Sequence, residues 1–65
     1  MKWFEYNTLY YMLNKEISFG DIAEHCQTSV DAVAMMIARG NPQRHKLEQL
    51  AEALGVTVED LEREG

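Results

Sequence analysis

The chain has 65 residues, enough for one domain whose core lies near the lower size limit for folding without disulfides, metals or a partner. Hydrophobic residues make up 46% of it, which argues against a disordered protein. The single cysteine, Cys26, excludes an internal disulfide framework and fits a reducing compartment. Because no apolar run approaches the roughly 18 residues of a membrane span and no signal-peptide pattern opens the chain, we expect a cytoplasmic protein without a membrane partner.

The net charge of −5 is unevenly distributed along the chain. Residues 1–38 carry two basic and five acidic side chains, and residues 48–65 carry six acidic side chains against Arg63. The nine residues between them carry Arg39, Arg44 and Lys46 and no acid. This basic segment favours an anionic partner, although chance in an acidic, soluble protein explains three charges equally well.

The first predicted helix, about Trp3–Lys15, has more aromatic surface than one core face can bury. The buried face is predicted from a helical stripe of Tyr6, Leu9, Tyr10 and Leu13. The stripe continues one turn later at Ile17. Outside that stripe lie the aromatic residues Trp3, Phe4 and Tyr11.

The second and third predicted helices are separated by a short break at residues 27–29. Ser18 and Asp21 have the spacing of a capping box, so the second helix is predicted to begin at Phe19. Its inward residues are Ile22, Ala23 and Cys26. Thr28 or Ser29 caps the third helix, which ends at Gly40 and whose inward stripe is Val30, Val33, Ala34 and Ile37.

Two more helices are predicted at about residues 43–54 and 57–63. Gly55 ends the first of them, and Thr57 with Asp60 begins the second, which carries Val58 and Leu61. The apolar face of the longer helix is formed by Leu47, Leu50, Ala51 and Leu54. Without any strand pattern, the chain is predicted to be one all-α domain over residues 1–65, a compact five-helix bundle.

Two helices joined by three or four residues, with a small residue where they cross, are typical of a helix-turn-helix. Ala23 is that small residue, and Val33 is expected to pack beneath it. The stretches ISFGDIAEHCQTSVDAVAMMIARG and NPQRHKLEQLAEALGVTVEDL resemble the Cro/repressor-type (Xre-type) helix-turn-helix family over about residues 17–61. The resemblance implies a lambda-repressor-like domain with its motif at about residues 19–39. It also implies a transcriptional regulator, most simply a repressor, that binds operator DNA as a dimer.

By this resemblance, the third helix reads bases and the segment after it contacts phosphates. The base-reading candidates are Ser29, Val30, Asp31, Ala34 and Met35, and the phosphate-contact candidates are Thr28, Arg39, Asn41, Arg44, His45 and Lys46. None of the first set makes the bidentate contact of Arg, Gln or Asn that contributes most to direct readout. Two positions depart from the family: Phe19 replaces a phosphate-binding Gln, and Gln27 replaces a Gly at a turn that requires an adjusted or left-handed backbone.

A protein-binding adaptor or inhibitor on the same fold remains the alternative function, because the chain is acidic and its third helix is apolar and acidic. The homodimer interface is expected at one of two surfaces, formed by Trp3, Phe4, Tyr10 and Tyr11 or by the C-terminal residues Val58 and Leu61. No metal site, cofactor or catalytic activity is expected, because His25 and His45 are far apart and no nucleophile–base pair is recognisable.

Overall fold

The computed structural model describes residues 3–64, and over this range the chain is helical with no strand. The helices are α1 (Trp3–Lys15), α2 (Phe19–Cys26), α3 (Val30–Arg39), α4 (Arg44–Leu54) and α5 (Val58–Glu62). The predicted all-α fold with five helices is therefore confirmed, with α4 and α5 each slightly shorter than expected. None of these helices is long and apolar enough to cross a membrane.

Two capping boxes fix the beginnings of α2 and α5. The Ser18 hydroxyl accepts a hydrogen bond from the Asp21 backbone N–H at 3.1 Å, and the Asp21 carboxylate accepts one from the Ser18 N–H at 3.0 Å. Thr57 and Asp60 repeat this arrangement with the same two distances. The hydrogen bonds from the Thr57 backbone and then its side chain lower the pKa of the Asp60 carboxyl. Both predicted helix starts are confirmed.

Left-handed residues end four of the helices, α1 to α4. Glu16 follows α1 with φ 57°. Gln27 follows α2 with φ 56°, although it has a side chain where glycine is more usual. Gly40 and Gly55 end α3 and α4 with φ 77° and 70°, as predicted from the sequence. The left-handed turn between α2 and α3 is therefore formed without glycine.

The core lies where α2 packs against α3 and α4, and α1 closes it by packing against α3, α4 and α5. The buried apolar residues are Phe4, Met12, Ile22, Ala23, Val33, Ile37, Leu47, Leu50, Ala51, Leu54 and Leu61. The predicted inward face of α4 is confirmed in full. On α3, Val33 and Ile37 are buried, but Val30 is 46% exposed because it is the first residue of the helix and lies beyond the core.

The predicted buried face of α1 is wrong. Phe4, Thr8 and Met12 are buried, whereas Tyr6 and Tyr10 are each 50% exposed. Leu13, also predicted to face inward, is 83% exposed. The core receives a row of residues spaced four apart, and the buried Thr8 hydroxyl is satisfied by donating to the Phe4 carbonyl at 2.8 Å. A polar residue therefore lies in the true inward stripe.

Side chains of α1 bond to backbone carbonyls in the C-terminal part of the described chain. The Asn7 amide donates to the carbonyls of Leu61 at 3.0 Å and Arg63 at 2.7 Å, so it satisfies carbonyl groups at the C-terminal end of α5. Lys15 donates to the Gly55 carbonyl at 3.3 Å. These bonds join α1 to α5 and to the turn that precedes it.

Candidate functional site

The outer face of α3 presents the residues that the sequence singled out as base-reading candidates. Ser29 caps the helix, and its hydroxyl accepts a hydrogen bond from the Ala32 N–H at 3.1 Å. That hydroxyl still has a proton to donate. Val30, Asp31 and Met35 are exposed, Met35 to 50%, whereas Ala34 is half-buried. The exposed surface therefore carries one hydroxyl, one carboxylate and two apolar side chains.

An open groove of about 580 Å³ runs between α3 and the beginning of α4. Its walls are formed by Ala32, Met35, Met36, Arg39, Asn41, Pro42, Gln43 and Lys46. Met35 on the outer face of α3 thus borders the same groove as three of the phosphate-contact candidates, namely Arg39, Asn41 and Lys46. The fold brings these residues together although they span 12 positions of sequence.

Arg44 and His45 are exposed at the beginning of α4 but do not line this groove. The Arg44 Nε donates to the Glu48 carboxylate at 3.3 Å, one helical turn later, and both side chains are largely exposed. An exposed pair of this kind contributes about 0.3–0.5 kcal/mol. Glu48 nevertheless places a negative charge beside a cation that was expected to bind phosphate, a feature that the i,i+4 spacing predicts.

A smaller cavity of about 70 Å³ adjoins the groove. It is lined by Cys26, Thr28, Ala32, Val33, Met36, Lys46 and Gln49, so Thr28 lies near the basic segment as well. Cys26 is half-buried and packs against the core, as expected from the sequence. Burial and then the Glu52 carboxylate raise the pKa of its thiol, which disfavours the reactive thiolate.

The two histidines lie in different surroundings. His25 on α2 and Glu52 on α4 are joined by a hydrogen bond of 2.9 Å between exposed side chains. Among residues 3–64, no three His, Cys, Asp or Glu side chains are grouped so that they could hold a metal ion. His25 therefore links α2 to α4.

The candidate dimer residues have unequal exposure. Phe4 and Leu61 are 7% and 0% exposed, so they are core residues and the prediction that they form an interface is wrong. Tyr11 and Val58 are half-buried against the core. Trp3 and Tyr10 are 44% and 50% exposed. Tyr6 and Leu13, predicted from the sequence to face inward, are exposed on the same helix as Trp3 and Tyr10.

Comparisons of the chain with protein-family models, curated proteins and solved structures find no match.

Proposed function

We propose that the protein is a small DNA-binding transcriptional regulator in which α2 and α3 form a helix-turn-helix and α3 enters the major groove. The observation that carries this proposal is the groove beside α3. There the exposed Met35 borders the same surface as Arg39, Asn41 and Lys46. A base-contacting side chain and backbone-contacting cations are thus adjacent, which is the division of roles found in protein–DNA interfaces.

The connection between α2 and α3 supports the motif assignment. Only three residues, Gln27 to Ser29, separate the helices, and Gln27 is left-handed while Ser29 caps α3. The two helices pack against each other, and the small Ala23 is buried together with Val33. A short link with a close crossing at a small residue is the geometry that a helix-turn-helix requires.

The chemistry of α3 supports weak sequence readout. Ser29 donates or accepts at a base edge, and Asp31 accepts from a cytosine amino group. Val30 and Met35 offer apolar contact with a thymine methyl. Since none of them makes the bidentate contacts of Arg, Asn or Gln, we infer that affinity depends mainly on the phosphate backbone.

The basic segment supplies the backbone contacts. Arg39, Arg44 and Lys46 give three cations per chain, and a dimer gives six. Neutralisation of about six phosphates gives a log–log salt slope near −5 and a loss of roughly three decades of affinity between 50 and 200 mM salt. The basic segment also includes the first turn of α4, where Gln43 caps the helix without a side-chain hydrogen bond and so leaves the first-turn N–H groups available to a phosphate.

The test is selection from a library of random DNA duplexes at low and high salt. We expect a near-palindromic site to be enriched at low salt and to be lost when Arg39→Ala and Arg44→Ala are combined. Asp31→Ala and Met35→Ala should change the selected sequence more than the total binding. No enrichment at low salt, together with a stoichiometric protein partner recovered from host lysate, would contradict the proposal.

A protein-binding adaptor or inhibitor is the second candidate. Met35 and Met36 both line the groove, and methionine side chains adapt to partner surfaces of varied shape. The net charge of −5 favours a basic partner. In that case Met35→Ala and Asp31→Ala should weaken the protein complex and leave no DNA preference to change.

A further inference from the structure

The outward face of α1 carries a continuous row of large apolar side chains. Trp3, Tyr6, Tyr10 and Leu13 follow one another at spacings of three, four and three residues. We name this row the α1 seam. It lies on the opposite side of the helix from the buried Phe4, Thr8 and Met12, since 3.6 residues complete one turn. Helix α1 therefore has two apolar faces, of which the bundle buries one.

The α1 seam is large for a chain of this size. Its side chains are 44%, 50%, 50% and 83% exposed in sequence order. With roughly 200 Å² for a whole large side chain, they expose on the order of 450 Å². That is as large as the largest apolar patch on a typical monomer, and such patches mark interaction sites. The Trp3 and Tyr6 rings pack edge to face with their centroids 5.8 Å apart, so this part of the row is one continuous surface.

An open apolar groove lies beside the C-terminal half of the seam. It has a volume of about 580 Å³ and is lined by Leu9, Met12, Leu13, Glu16, Ile17 and Ser18. The groove borders the seam at Leu13, three helical turns from Trp3. A bulky side chain that approaches Leu13 from outside would therefore enter a ready-made apolar recess.

We propose that the α1 seam is a homodimer interface in which two α1 helices pack antiparallel, with Trp3 of each copy in the groove of the other. The spacing of the seam residues determines the antiparallel orientation. A twofold axis at the level of Thr8 places Trp3 opposite Leu13 and Tyr6 opposite Tyr10, since both pairs are centred on position 8. A row spaced by alternating threes and fours is also the pattern by which helices pack side by side.

The charges beside the seam favour a second copy over other occupants. Asn7 and Asn14 border one side, and Glu5 and Glu16 border the other. Lys15, the basic residue of α1 within the described range, bonds to the Gly55 carbonyl in the body of the bundle. Over the described residues of α1, Trp3–Lys15, the seam therefore carries no cation that would favour an anionic membrane or a nucleic acid. In the antiparallel pair, each Glu16 lies near the positive N-terminal end of the partner's α1.

The interface is modest in area. Two copies of the seam bury on the order of 900 Å², below the 1,200–2,000 Å² of standard stable complexes. We therefore expect a dimer with a micromolar Kd that forms without DNA. This inference deepens the proposed function, because it names the surface by which two α3 helices are joined.

Sedimentation equilibrium over about 1–500 µM tests the proposal. The natural chain should show a monomer–dimer equilibrium. Tyr10→Glu and Leu13→Glu should each raise Kd about 100-fold or more, because a charge is buried twice in a twofold dimer. Far-UV circular dichroism should show that both variants remain folded. Met35→Glu is the matched control, since Met35 is as exposed as Tyr10 but lies on α3, and it should leave the dimer intact.

Disulfide trapping tests the orientation in a Cys26→Ala background. A mixture of Trp3→Cys and Leu13→Cys chains should give the mixed disulfide, whereas a parallel pair would join Leu13→Cys to itself. Dominant self-linked Leu13→Cys would overturn the antiparallel pairing. A natural chain that remains monomeric throughout the range, or a dimer that Tyr10→Glu leaves unchanged, would overturn the interface.

Salt separates this inference from the proposed function. Raising salt from 50 to 200 mM should tighten the dimer, because it screens repulsion between two copies of net charge −5, and should weaken DNA binding. If the natural chain never dimerises but binds a DNA half-site, and Tyr10→Glu binds it with the same salt dependence as the natural chain, the interface is wrong and DNA binding through α3 stands. If the dimer forms but binds no duplex at low salt, only the DNA proposal is wrong.

Discussion

Met12 and Leu13 are neighbours in α1 with opposite surroundings. Met12 is 8% exposed and Leu13 is 83% exposed. Truncating a buried methionine to alanine loses apolar contacts and leaves a cavity, at a cost of about 2–5 kcal/mol of unfolding free energy. Truncating an exposed leucine usually changes that free energy by about 0.5 kcal/mol or less. We therefore expect Met12→Ala to destabilise the monomer strongly and Leu13→Ala to leave it nearly unchanged.

Urea unfolding followed by far-UV circular dichroism measures this difference at a concentration where the natural chain is monomeric. A loss of 2 kcal/mol with a slope near 1 kcal/mol per molar lowers the urea midpoint by about 2 M. Because a domain this small has little stability to lose, Met12→Leu provides a second variant. It conserves volume and should cost less than about 1.5 kcal/mol. An equal or larger loss for Leu13→Ala than for Met12→Ala would refute the assignment of the buried face.

Three further predictions concern single side chains. Asn7→Ala removes two hydrogen bonds to the C-terminal end of α5 and should lower the free energy of unfolding in urea by about 1–2 kcal/mol. An unchanged urea midpoint would show that α5 needs no such link. Because its bonds to Thr57 hold the pKa of Asp60 below its unfolded value near 4, the natural chain should lose thermal stability as pH falls through the folded value. Asp60→Asn should lose less thermal stability over the same pH range. Equal losses in the two proteins would show that the pH dependence does not come from Asp60. Glu48→Gln releases Arg44 and removes a negative charge beside the basic segment. DNA binding in a fluorescence anisotropy titration should therefore tighten several-fold, whereas weaker binding would exclude Arg44 as a phosphate contact.

The features that the sequence predicted well depend on local chemistry. The capping boxes at Ser18 and Thr57 involve residues three apart, so their geometry does not depend on the rest of the fold. Gly55 ends α4 for a similarly local reason. The inward face of α4 was also predictable, because that helix has a single apolar face and polar residues elsewhere.

Helix α1 could not be assigned in this way, because it has two apolar faces and periodicity does not decide which one the bundle buries. The more aromatic row, with Tyr6 and Tyr10, was expected inside, yet a row containing Thr8 is buried. The polar Thr8 is tolerated there because its hydroxyl bonds to its own helix. The choice of face depends on how α1 packs against α3, α4 and α5, which is tertiary information.

The candidate site was predictable as a set of residues but not as a surface. The exposure of Asp31 and Met35 follows from the helical period of α3. The groove that joins Met35 to Lys46 depends on how α4 leaves the turn after Gly40, which the sequence does not specify. The partner of Arg44, in contrast, lies one turn along the same helix and was available from spacing alone.

The salt dependence of duplex binding tests the central claim most directly, and the chain offers a matched pair of variants. The side chains of Arg44 and Arg63 are 68% and 65% exposed. Each forms an ion pair with one acid nearby in sequence, Arg44 with Glu48 and Arg63 with Asp60. Only Arg44 belongs to the basic segment near α3. The log–log slope should be near −5 for the natural dimer, and Arg44→Ala should reduce its magnitude by about one per chain, whereas Arg63→Ala should leave it unchanged. Equal slopes for both variants, or no measurable duplex binding at 50 mM salt, would contradict DNA binding through α3 and the basic segment.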